Sequence, residues 1–126
     1  MQESYNAILV ERKQSRLYVT LNRPEVRNAM SGELVTELTT VLKEIQADRT
    51  IRTLILRGAG GYFCAGGDIK AFKQIFQGAF SPEQVAAKNR EAGNFFLLMN
   101  QLPQTVVMLV EGAAVGGGLG LACRSK

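Results

Sequence analysis

Thr53-Leu54-Ile55-Leu56, followed after Arg57 by Gly58-Ala59-Gly60-Gly61-Tyr62-Phe63-Cys64-Ala65-Gly66-Gly67-Asp68-Ile69-Lys70, decides how this chain folds. The first four residues are β-branched or aliphatic and read as a strand. The glycines after them make a loop that no helix or strand interior would accept. Ile69, Phe72, Ile75 and Phe76 then recur at helical spacing, which predicts a helix from about Asp68 that stops at Gly78. Strand, glycine-rich loop and helix form the local unit.

The same unit recurs on both sides. Upstream, Ala7 to Arg12 and Leu17 to Leu21 are short β-rich runs separated by the polar Lys13-Gln14-Ser15-Arg16, the pattern of an antiparallel hairpin, and Asn22-Arg23-Pro24 ends the second run. Leu34, Leu38, Val41, Leu42 and Ile45 follow at helical spacing, with Ser31 as N-cap and Glu33 in the first turn, so a helix runs from about Gly32 to Ala47. Downstream, Ser81-Pro82-Glu83 starts a helix through about Asn100 that Pro103 closes. Thr105 to Val110 is a continuous apolar strand, expected to be buried on both faces, and Gly116-Gly117-Gly118 turns into another helix. The fold class is therefore α/β. Right-handed crossovers stack the strand-to-helix loops on one edge, so the loops 22–30, 58–67 and 112–118 are expected to meet in a composite site.

Composition narrows the chemistry. The chain has 126 residues, 46% hydrophobic and 21% charged, enough for one small domain with a core. It has no His, which excludes a Ser-His-Asp triad, a Cys-His dyad and a histidine-ligated zinc within the chain. Lys and Arg number 15 against 11 Asp and Glu, scattered rather than gathered, a mild bias towards anionic small ligands and not the dense basic stripe of a nucleic-acid binder. Cys64 and Cys123 are too few for a disulfide framework, which points to a reducing, cytoplasmic setting. Met1 to Asn6 lacks the apolar stretch of a signal peptide, and Val106 to Ala122 is interrupted by Glu111 and five glycines, so no membrane association is expected.

Neither glycine run matches a P-loop or a dinucleotide fingerprint. Each precedes a helix, so its small residues let a ligand approach backbone N–H donors near the positive end of a helix dipole. Each also has a plainer reading: a tight turn with Asp68 capping the next helix, and close packing of a helix on a sheet at Gly116-Gly117-Gly118.

Taken together the segments are more specific. Leu21-Asn22-Arg23-Pro24 with Asn28-Ala29-Met30, then Phe63-Cys64-Ala65-Gly66-Gly67-Asp68-Ile69, then Glu111-Gly112-Ala113-Ala114-Val115-Gly116-Gly117-Gly118, resemble in order and spacing the N-terminal half of the enoyl-CoA hydratase/isomerase (crotonase) superfamily. Within it the wording is most similar to isohexenylglutaconyl-CoA hydratase-like proteins of acyclic terpene degradation. The resemblance implies a crotonase-like spiral of repeated β-β-α units, with residues 1–126 forming the N-terminal part of the domain and the C-terminal half lying outside this sequence. It implies a coenzyme A thioester as substrate, no separate cofactor, no metal, and a homotrimer or dimer of trimers for the longer form.

By the same resemblance, the backbone N–H groups of Cys64 and Gly117 are the oxyanion-hole donors that hold a thioester enolate, Cys64 lending its amide and not its thiol. Coenzyme A is implied to lie along Val26, Arg27, Ala29, Ala65, Gly66, Gly67, Asp68, Ile69 and Gly116, with Arg27 either facing a phosphate or simply solvated. The pattern also departs from the family. Gly120 stands where hydratases commonly carry their first catalytic glutamate, the second belongs beyond Lys126, and Arg124-Ser125-Lys126 replaces the aspartate usual soon after Cys123. The implied reaction is enoyl-CoA hydration or isomerisation. A decarboxylase, thioesterase or dehalogenase of the same fold is the alternative, as is a catalytically dead CoA-binding subunit.

Overall fold

The structure, a computed structural model, describes residues 4–126, except for the side chains of residues 71 and 72. Strands β1 (Ile8–Lys13) and β2 (Arg16–Leu21) form the expected hairpin. The ladder extends to the pair Lys13 and Arg16, so the link is only Gln14-Ser15 where four polar residues were expected, and Gln14 adopts φ +57° to make the turn. Helix α1 (Gly32–Gln46) starts at the predicted cap: the Ser31 Oγ accepts from Leu34 N at 3.1 Å. Then come β3 (Thr53–Gly58), α2 (Ile69–Phe76), α3 (Pro82–Gln101), β4 (Thr105–Leu109) and α4 (Gly117–Ala122). Ser81 and Gln84 satisfy each other's backbone in a full capping box at the start of α3, with Pro82 in its first turn.

The strands make one four-stranded sheet in the order β1-β2-β3-β4. β1 is antiparallel to β2, while β2, β3 and β4 are parallel neighbours joined by helical crossovers. The register places Leu17, Leu54 and Val106 in one row and Val19, Leu56 and Met108 in the next. This face packs into a core with Leu34, Leu38, Val41, Leu42 and Ile45 of α1 and with Phe95 and Met99 of α3. Each such side chain contributes on the order of 2 kcal/mol by leaving water. Their parallel pairing brings the carboxyl ends of β2, β3 and β4, and the loops that follow them, to one edge.

One expectation fails. β4 is not buried on both faces: Val107 and Leu109 are 36% and 46% exposed, because the helices cover only the other face of the sheet. Helix α2 forms where the apolar period placed it, and its stripe lies open among the described residues, with Ile69 69% and Phe76 89% exposed. The side chain of Phe72, assigned to the same stripe, lies outside the described residues. Among the described residues no helix is long and apolar enough to cross a membrane.

Candidate active site

The three loops meet as expected, stitched by main-chain bonds. Loop 58–67 lies between the other two. On one side Ala65 N donates to Arg27 O at 3.0 Å and Met30 N donates to Gly66 O at 2.6 Å. On the other side Cys64 N donates to Ala113 O and Val115 N to Cys64 O, both at 3.1 Å. Isolated parallel bridges Met30–Gly67 and Cys64–Ala114 record the same contacts. Asn28 secures the seam: it is fully buried, its backbone sits at φ +57°, and asparagine tolerates that left-handed conformation. Its Oδ1 accepts from Arg23 N at 2.9 Å, and its Nδ2 donates to Ala59 O and Tyr62 O, each at 3.0 Å. The sequence placed Asn28 inside a motif without a role. Its left-handed turn and buried amide now supply one.

Between the loops opens a cleft of about 650 Å³. Seven residues singled out from the sequence line it: Val26, Arg27, Ala29, Ala65, Gly67, Asp68 and Ile69. Glu25, Lys70, Lys73, Ala113 and Val115 complete the wall and were not foreseen, although two lysines at α2's exposed first turns are a signal for an anion. Arg27 is exposed, and its guanidinium sits 5.7 Å from the centre of the Tyr62 ring. Gly66 and Gly116 are not on the wall. Gly66 is buried at φ +93°, and a Cβ there would come within 2.8 Å of Val115 O, so only glycine fits. Gly116, at φ +55°, is the N-cap of α4.

Asp68 does two things at once. Its Oδ1 accepts from Lys70 N at 2.9 Å, the capping role read as the plain alternative. Its Oδ2 pairs with the Arg23 guanidinium at 3.0 Å, with the two side chains 15% and 20% exposed. That pair was not foreseen.

The expected pair of donors requires one correction. The Cys64 N–H already donates to Ala113 O, so it offers nothing to a ligand. The Cys64 thiol is buried, which pushes its pKa up, while the Gly66 N–H partly offsets the rise. Two other amides, that of Gly67 on the cleft wall and that of Gly117 at the start of α4, have no acceptor among the described residues. The Gly66–Gly67 peptide is trans and its carbonyl faces Met30 N, so the Gly67 N–H points the opposite way. Gly117 begins α4, which is only six residues long, so it offers a local N–H more than a dipole. A Cβ on Gly117 would meet Met30 Sδ at 3.4 Å, and Met30 bridges Gly67, so Met30 borders both glycines.

The remaining glycines separate by role. A Cβ on Gly118 would lie 2.2 Å from Cys64 O, which makes that residue the close-packing glycine. One on Gly120 would meet nothing within 4 Å, so the position without a carboxylate has room for a side chain. Among the described residues no group of three or more His, Cys, Asp or Glu could hold a metal ion.

Residues 11–125 match the family Enoyl-CoA hydratase/isomerase. The chain belongs to this family. As a member of the enoyl-CoA hydratase/isomerase family it is 38% identical over 122 residues to the enoyl-CoA hydratase EchA19 of Mycobacterium tuberculosis, an alignment covering 92% of this chain and 43% of that protein. It is 34% identical to the mitochondrial 3-hydroxyisobutyryl-CoA hydrolase of Rattus norvegicus, covering 94% of this chain and 31% of the hydrolase. Among solved structures it superposes on Pseudomonas aeruginosa AtuE with a TM-score of 0.90 and 47% identity, covering 95% of this chain and 46% of that one. The chain thus spans less than half the length of these relatives, and its fold is the first part of the crotonase spiral.

Proposed function

We propose that this chain binds a coenzyme A thioester in the cleft with the thioester carbonyl oxygen between the N–H groups of Gly67 and Gly117. The observation that carries the reading is that these two amides have no acceptor among the described residues and both border Met30. Arg27, Lys70 and Lys73 give the cleft a cationic rim suited to the phosphates of coenzyme A. Two donors on one carbonyl oxygen make the adjacent carbon acidic and stabilise the enolate formed when water adds to a conjugated alkene or when a proton leaves. Each donor of this kind contributes roughly 2.7 to 4 kcal/mol in other enzymes.

The reaction we favour is hydration or isomerisation of an enoyl-CoA, with the proton-transferring carboxylate supplied from outside residues 1–126. An isohexenylglutaconyl-CoA-like substrate is the finer version, in a cytoplasmic protein assembled as a homotrimer or dimer of trimers. A second reading, a thioesterase, decarboxylase or dehalogenase of the same fold or a CoA-binding subunit, is favoured by one observation: Gly120 carries no carboxylate.

The test compares crotonyl-CoA with free coenzyme A by calorimetry. The thioester should bind more tightly, and Gly117→Pro, which deletes one N–H at a position where a first-turn proline is tolerated, should erase the difference while free coenzyme A still binds. Equal affinities in the unaltered chain would refute the two-amide site. Loss of the enoyl absorbance over time separates turnover from binding alone.

A further inference from the structure

We propose that Arg23 is a positioning residue, which sets the direction of the Gly67 N–H by holding, with one guanidinium, the two residues that flank the Met30–Gly67 bridge. Its Nη1 donates to the carbonyl of Ala29, the residue before Met30. Its Nη2 donates to Oδ2 of Asp68, the residue after Gly67, at 3.0 Å. The fork of a guanidinium fixes both acceptors in one plane, which a single-point cation cannot do. The Arg23 backbone is itself anchored, because its N–H donates to the buried Asn28 Oδ1 at 2.9 Å. The pair is 20% and 15% exposed, so water screens it little.

What the clamp protects is one peptide plane. The Gly66 carbonyl accepts from Met30 N at 2.6 Å, and through the trans peptide that bond orients the Gly67 N–H on the far side. Gly66 sits at φ +93° with no side chain to hold it, so nothing in its own rotamer resists a flip. Loss of the fork frees Ala29 from Asp68, opens the Met30–Gly66 bond and lets the plane turn. The inference rests on reading Gly67 N–H as a donor to a thioester carbonyl.

The experiment follows individual amides in the ¹⁵N-labelled chain, with Arg23→Gln and Asp68→Asn as variants. Hydrogen exchange at Met30 should speed by about tenfold or more in Arg23→Gln relative to Leu56 in the core of β3, since a local opening moves one amide and a global one moves both. Asp68→Asn keeps an acceptor for Lys70 N and should give a smaller increase. It also decides the matter by the same ratio if Arg23→Gln does not fold. Met30 exchange that keeps pace with Leu56 in the folded variants overturns the inference. With crotonyl-CoA added, the Gly67 resonance should shift in the unaltered chain and respond less in Arg23→Gln; an undiminished response also overturns it. No response in the unaltered chain counts against the carbonyl reading alone and leaves the exchange ratio to judge the clamp.

Discussion

Cys64 and Cys123 carry the same thiol in opposite surroundings, one buried and one exposed. The thiolate is the reactive form, and burial holds Cys64 in the neutral form by raising its pKa. A disulfide reagent at about pH 8 should therefore label Cys123 roughly tenfold faster than Cys64 in the folded chain, as read by mass spectrometry of the labelled peptides. Equal rates would mean that the loop 58–67 opens freely. Because the folded pKa lies above the unfolded one, this thiol's stabilisation is complete below about pH 8.5 and is lost as pH rises through the folded value. The absence of His argues against a nucleophilic Cys64 side chain, and its burial points the same way. Its amide was not legible, because whether a loop N–H is free depends on what lies on its other side. Here that neighbour is Ala113, brought in by a strand pairing that no local pattern announces. Asn28 has the same origin: its partners Ala59 and Tyr62 are 31 and 34 residues away.

Among the elements, the helices that carry their own caps were legible almost to the residue, because Ser31 and the Ser81-Pro82 start satisfy their first-turn N–H groups locally. The apolar period of α2 told which residues share a face but not whether anything covers it, since burial is a property of neighbours. The glycine run that opens α4 divides in the same way. Gly118 and Gly117 look alike in sequence, yet a Cβ meets backbone at 2.2 Å at the first and only the flexible end of Met30 at 3.4 Å at the second. Gly118→Ala should cost about 3 kcal/mol or more in urea denaturation, because neither α4 nor the Cys64 carbonyl can move without breaking the Cys64–Ala114 bridge. Gly117→Ala should stay within about 1 kcal/mol, as Met30 can change rotamer and alanine favours the helix. Equal costs would show that α4 is not seated on the loop as described.

At the scale of the whole molecule, charge and shape decide where an anionic ligand would go. The chain carries a net charge of +4 with no His, so its field is constant from about pH 5 to 8. Arg27, Lys70 and Lys73 border the cleft, whereas of its two acids Asp68 is neutralised by Arg23 and only Glu25 opposes the rim. The uncovered sheet face is different in kind: Leu9 is exposed on one edge strand and Val107 and Leu109 on the other, with Thr20 and Arg57 in the row between Leu9 and Leu109. An anion bound at the cleft should feel the cationic rim through water. Screening shortens that reach from about 14 Å near 0.05 M salt to about 4 Å near 0.5 M. The affinity for crotonyl-CoA should therefore fall by roughly tenfold over that range, and Lys73→Gln should flatten the dependence while leaving thermal stability unchanged, because its side chain is exposed and makes no ion pair among the described residues. An affinity indifferent to salt would mean that the cationic rim does not hold the ligand, and Lys73→Gln would then change nothing.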